Sequence, residues 1–251
     1  MFYLVKYAQQ GQNFNCNGQK RKVLNAHSKT PIESMYLELG RIPVRYIIMA
    51  RRMNFLHYLL TLNNEELLSK FFMAQKEFPT KNDWVLTAIE NLKHLEINLT
   101  FDEIRKKSKD QFKKEVKKHI KIASLKYLQN ISEGHSKMDN LNYTELSMQK
   151  YFYDCSFNKI DSQLLFNYRT RMCNFTANFS NGLTDLTCKL CKEENTIDSE
   201  THSFKCDIIK IRLPELIDKR YKDIFEKDIT KLKEATISLT KIIELRKELI
   251  N

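Results

Sequence analysis

Three cysteines and one histidine fall within a single short run, CKLCKEENTIDSETHSFKC, and nothing else in the chain restricts its folding so strongly. Cys188 and Cys191 form a C-x-x-C pair, and His202 and Cys206 follow after a gap of ten residues. Structural zinc is held tetrahedrally by four Cys or His ligands, and a C-x-x-C turn lets two thiolates of one tight hairpin grip the same side of the ion. His202 and Cys206 are four apart, so on a following α-helix they would stack on one side and reach the same metal. The predicted site is therefore one zinc ion on Cys188, Cys191, His202 and Cys206, in knuckle order with a loose middle loop. The competing account is a chance group of buried cysteines, since free Cys packs as a small hydrophobe. Zinc-type spacing disfavours it. A disulfide framework is less plausible still, because the other cysteines, Cys16, Cys155 and Cys173, are scattered through a long chain. Their thiols point to a reducing compartment.

Turn chemistry is scarce elsewhere. Only 5 Gly and 4 Pro punctuate 251 residues, fewer than β-rich folds need, so helices should dominate. With 42% hydrophobic residues the chain can bury a substantial core in one or two domains. Lys and Arg number 42 against 31 Asp and Glu, a net charge of +11 that attracts polyanions, nucleic acid first among them. No stretch approaches the roughly 20 apolar residues of a membrane span, and MFYLVKYAQQGQNFN lacks signal-peptide architecture. The expectation is a soluble intracellular protein of the nucleus or cytoplasm, with no membrane partner and no small-molecule substrate. A Walker loop, a G-x-G-x-x-G turn and a G-x-S-x-G elbow are all missing from the sequence.

Four segments are predicted. Residues 1–29 are polar and aperiodic and read as a poorly ordered arm. Residues 30–180 read as an irregular helical body, 183–210 as the CCHC knuckle, and 211–251 as a C-terminal helical tail, which makes the fold class mainly α. Thr30-Pro31-Ile32-Glu33 predicts a capping box that opens a short helix closed by Gly40. After Pro43 a longer helix should bury Val44, Ile47, Ile48, Phe55 and Leu59, with His57 packed among them. Further helices are expected near 64–76, 83–95, 144–153 and 159–171, with breakers at Phe78-Pro79 and Asn181-Gly182. Pro214 should begin another, and Asp228 precedes a last one carrying Leu232, Ala235, Leu239, Ile242, Ile243 and Leu249.

Thr100 with Glu103, and Ser108 with Gln111, predict two more capping boxes, the second opening a helix that runs to Gly134. Its Phe112, Val116, Ile120, Ala123 and Tyr127 share one side, while Lys106, Lys113, Lys114, Lys117, Lys118 and Lys121 cover the opposite one. Such lysines are either a solvated face or a row of phosphate contacts. Lys113, Lys117 and Lys121 are the candidates here, joined by Lys189, Lys192 and Lys205 around the knuckle. Phe204 could stack on an unpaired base, though packing beneath the knuckle is favoured.

TPIESMYLELGRIPVRYIIMARRMNFLHYLL, FFMAQKEFPTKNDWV, LLFNYRTRMCNF and the Cys/His run, taken in that order, resemble the region that follows the polymerase in non-LTR (LINE-type) retrotransposon reverse transcriptases. The likeness spans about residues 30–250 and leaves out the first 29, which implies a truncated or rearranged element. It implies a helical region after the thumb, ending in a zinc knuckle at Cys188, Cys191, His202 and Cys206. That region would help hold template RNA or target DNA during target-primed reverse transcription, beside the polymerase part of the enzyme. Arg169 and Arg171 match the family's R-x-R-M segment, as nucleic-acid contacts or as a surface salt-bridge pair.

The paired aspartates that hold polymerase magnesium are missing, since no Asp-Asp occurs, and too little chain follows Cys206 for a nuclease fold. The expected function is non-catalytic nucleic-acid binding. The alternatives are a zinc-stabilised helical scaffold or protein-interaction piece, and an inactive relic of a mobile element.

Overall fold

The computed structural model describes residues 24, 26–78, 80, 83–135, 137–138, 140–141, 143–179 and 185–250. The expected arm at 1–29 therefore lies largely outside the described residues, as do Cys16, Pro79 and the Asn181-Gly182 turn. In chain order the helices are α1 (Ile32–Glu38), α2 (Val44–Thr61), α3 (Leu67–Glu77), α4 (Trp84–His94), α5 (Phe101–Lys106), α6 (Lys109–Ser132), α7 (Lys159–Arg169), α8 (Glu200–Ser203), α9 (Asp207–Arg212) and α10 (Ile229–Ile250). Short 3₁₀ turns and two isolated β-bridges accompany them among the described residues, so the protein is mainly helical. No helix there is long and apolar enough to cross a membrane. The chain divides into two compact units, one drawn from 1–40, 131–142 and 147–251, the other from 41–130 and 143–146.

In the second unit α2 lies against α3, α4 and α5. Its core joins Tyr46, Met53, Leu56 and Leu59 of α2 to Phe72, Val85, Ala88, Leu92, Ile104, Phe112, Val116 and Ile120. The stripe expected on α2 is rotated from the observed one. Val44, Ile48 and Phe55 are exposed, because the neighbouring helices meet the face that holds Tyr46, Met53 and Leu56. His57 packs as expected, stacked on Phe112 with ring centroids 5.4 Å apart and Nε2 2.9 Å from the Lys107 carbonyl. Thr100 and Glu103 form their capping box, and Ser108 and Gln111 exchange the same pair of bonds at the head of α6. On α6, Phe112, Val116 and Ile120 are buried, and Ala123 and Tyr127 flank that core.

In the first unit α7 packs against α10, burying Leu165 and Phe166 with Leu232, Ala235, Leu239 and Ile242. The spacing of those four α10 residues is the helical one read from the sequence. Three local expectations fail. Thr30 does not cap α1: Pro31 takes the N-cap position without a side-chain bond, and the Thr30 hydroxyl is buried. The helix expected at 144–153 shrinks to a 3₁₀ turn at Lys150–Phe152, and Pro214 likewise opens only a 3₁₀ turn, Pro214–Leu216. The stop at Gly40 holds: φ is +58°, and the Gly40 N–H bonds the Leu37 carbonyl.

Candidate metal centre and basic helix

Cys188 and Cys191 sit at the tip of a short hairpin. Thr187 and Ile197 bridge in antiparallel fashion, and the Cys188 N–H donates to the Thr196 carbonyl at 2.9 Å. Lys192 and Asn195 take left-handed backbone (φ +54° and +65°), which turns the chain tightly after the second cysteine. His202 and Cys206 do not share one helix as expected. His202 lies on the single turn α8, capped by the Ser199 hydroxyl, and Cys206 is the N-cap of α9. The four-residue spacing still works, because the Cys206 N–H bonds the His202 carbonyl at 2.8 Å.

The three Sγ atoms and one imidazole nitrogen all lie within 4.8 Å of one another, and His202 Nε2 is 3.4 Å from Cys191 Sγ. A tetrahedral ion with metal–sulfur bonds of about 2.3 Å separates its ligands by roughly 3.8 Å, so this arrangement can hold a metal ion. Backbone N–H groups complete the surround. Burial raises the Cys191 thiol, but hydrogen bonds from the Glu193 N–H and the Thr196 hydroxyl outweigh it and leave the thiol below its ordinary value. Burial pushes Cys206 up to about 11 against bonds from the Ile209 and Ile208 N–H groups. Burial also lowers His202, which favours the neutral imidazole a metal requires.

The cluster is fused to the first unit's core. Cys188, Cys206, Phe204 and Ile209 are buried in the same group as Tyr168 and Phe175. Phe204 packs edge-on to Tyr168 at 6.5 Å, the packed alternative rather than the base-stacking one. Asp198, next to the hairpin, is buried and paired with Arg246, whose Nη1 lies 2.9 Å from its Oδ1. Asp198 also accepts from the Thr176 N–H and hydroxyl.

The basic candidates separate sharply. Arg169 is a correction. Its side chain is 3% exposed, Nε donates to Glu38 at 2.8 Å and Nη1 to the Ile224 carbonyl at 2.8 Å, so it braces the core and does not lie on the surface. Arg171 is not on the same helix either, since α7 ends at Arg169; its backbone is left-handed (φ +51°) and its guanidinium meets the Tyr221 hydroxyl. Lys189, Lys192 and Lys205 are exposed around the cluster. Lys113, Lys114, Lys117, Lys118 and Lys121 of α6 are exposed and form no ion pair among the described residues, whereas Lys126 of α6 and Lys107 just before it are paired with Glu96 and Glu115. Sequence reading missed Glu38, Asp198 and Arg246, because nothing in local pattern couples residues this far apart in the chain.

Comparison with protein-family models, with curated proteins and with solved structures finds no match for this chain.

Proposed function

We propose that this protein is a non-catalytic, zinc-held nucleic-acid-binding module, of the kind that follows the polymerase in non-LTR retrotransposon reverse transcriptases, where it would hold template RNA or target DNA. The α6 ridge carries the reading. Lys113, Lys117 and Lys121 recur every four residues, about 6 Å apart along the axis, and among the described residues no carboxylate pairs with them. Unpaired charge at such density attracts phosphate and gains from counterion release. Zinc is the metal favoured by three thiolates and one imidazole, and its ligation would contribute on the order of ten kcal/mol to ordering the hairpin and α8. The family resemblance supports the same reading, now without Arg169.

A second reading, a protein-interaction piece, is favoured by exposed apolar side chains in the second unit. Phe55 and Tyr58 of α2, Leu67 and Phe71 of α3 and Phe78 after it are all more than 40% exposed. Fluorescence anisotropy of the zinc-loaded protein against structured RNA, single-stranded DNA and duplex DNA across a salt series separates the two. Steeply salt-dependent binding is expected. Absence of binding at low salt overturns the nucleic-acid reading in favour of the interaction piece.

A further inference from the structure

A cleft of about 180 Å³ opens in the second unit on the side of α6 that carries Ala123 and Tyr127, away from the Lys113, Lys117 and Lys121 ridge, and is lined by Tyr46, His94, Glu96, His119, Lys126 and Tyr127. It is smaller than the usual pocket for a drug-sized ligand, which suits a single planar ring system. Part of its wall is aromatic: buried Tyr46 stacks on His94 with centroids 5.8 Å apart and Tyr127 meets Tyr46 edge-on at 5.8 Å, the Arg45 guanidinium lying over one face of each tyrosine, while Leu95, Ile122 and Ala123 supply the apolar remainder. His119 spends Nδ1 on the Leu95 carbonyl at 2.9 Å. At the mouth, Lys126 Nζ lies 2.8 Å from Glu96 Oε1, both side chains being well exposed.

Glu96 stands where a glycine would be favoured. It follows α4 in the left-handed region (φ +55°), in a cap whose Ile97 N–H bonds the Leu92 carbonyl and whose own N–H bonds the Lys93 carbonyl. That backbone strains any side chain with a Cβ, and an exposed ion pair returns little. Stability therefore does not account for the glutamate. What the pair offers is a carboxylate acceptor beside an ammonium donor, the complement of guanine's Watson–Crick edge, where N1–H and the 2-amino group donate and O6 accepts.

We propose that this cleft takes one unpaired guanine of a single strand, stacked against the aromatic wall, with Glu96 accepting from N1–H and the 2-amino group and Lys126 donating to O6. The proposal rests on the nucleic-acid reading above and adds base selectivity to it. Lys118, exposed one turn before Ile122 of the lining on α6, is placed to meet a flanking phosphate.

The test uses the full chain and three short probes: an oligouridylate, the same strand with one guanine, and the same strand with one adenine. The guanine strand should bind about tenfold or more tightly than the other two, the discrimination typical of a bidentate base contact. Glu96→Gly should melt at or above the parent temperature and bind all three alike, a combination a purely structural glutamate would not produce. Equal binding of the three strands by the parent overturns the guanine site while leaving the lysine ridge standing. Failure of every strand at low salt overturns the nucleic-acid reading itself. Guanosine monophosphate binding as tightly as the guanine strand would make free nucleotide the ligand and overturn the single-strand assignment.

Discussion

Arg169 and Glu38, 131 positions apart in sequence, form an ion pair 2.8 Å long with neither side chain appreciably exposed. The Tyr151 hydroxyl donates to the other Glu38 oxygen at 2.7 Å, and the Arg169 guanidinium lies 4.9 Å from the Phe225 ring centroid. Removing one partner of such a pair strands a buried charge, at a cost of about 3–5 kcal/mol. Arg169→Met should lower the denaturation midpoint accordingly, and the residual folded protein should bind nucleic acid with unchanged affinity. A selective loss of affinity with normal stability would return Arg169 to the interface.

Gly40 offers a second stability test. Its φ of +58° disfavours any side chain, and a Cβ there would run into the backbone of Ser147 and Met148, where Leu39 bridges Met148. Backbone has no rotamer with which to yield. Gly40→Ala should cost about 1–3 kcal/mol by chemical denaturation, whereas Gly134→Ala, with nothing near its Cβ, should cost far less.

The contrast between these positions shows where the sequence was legible. Gly40 is a helix stop in the sequence because left-handed caps favour glycine, and the capping boxes at Thr100 and Ser108 are likewise local devices written within four residues. The Cys/His cluster was legible for the same reason, its spacing being short. Not every local device held, since the Thr30 box does not form and the 144–153 helix shrinks to one turn, but the larger failures depended on partners far along the chain. The buried face of α2 is decided by where α4 and α5 lie, so Val44 and Phe55 face outward although periodicity alone puts them inward. Arg169 resembles a surface cation until Glu38 arrives beside it. The cleft at Glu96 is invisible to periodicity because it joins the end of α4 to the middle of α6.

Metal removal should be felt beyond the hairpin, since Cys188 and Cys206 belong to the same core as Phe204 and Ile209. Cys188→Ser, or chelation of the parent, should abolish stoichiometric zinc and remove amide protection over 185–212. Phe112 to Ile120, whose core contains none of the four ligands, should stay protected. Full zinc content in the Cys188→Ser protein, read by atomic absorption, would sink the ligand assignment.

Metal affinity should also climb with pH. Burial raises Cys206 to about 11, so at neutral pH the metal-free thiol is protonated and must release its proton to ligate. A raised pKa places that release on the binding step, and affinity should gain about one log unit per pH unit for each such thiol as pH rises toward that value. Calorimetry in buffers of different ionisation enthalpy should show net proton release. Binding independent of pH between 6 and 8 would mean the thiolates are already formed.

The lysine ridge gives the sharpest quantitative expectation. Each phosphate neutralised contributes about 0.9 to the slope of log affinity against log salt on duplex DNA. Replacing Lys113, Lys117 and Lys121 by Gln should therefore flatten that slope by about 2 to 3 and weaken all sequences alike. The three side chains are exposed and form no ion pair among the described residues, so stability should hardly change. An unchanged salt slope would show the ridge to be a solvated face only, and a loss confined to certain sequences would show that these lysines reach base edges.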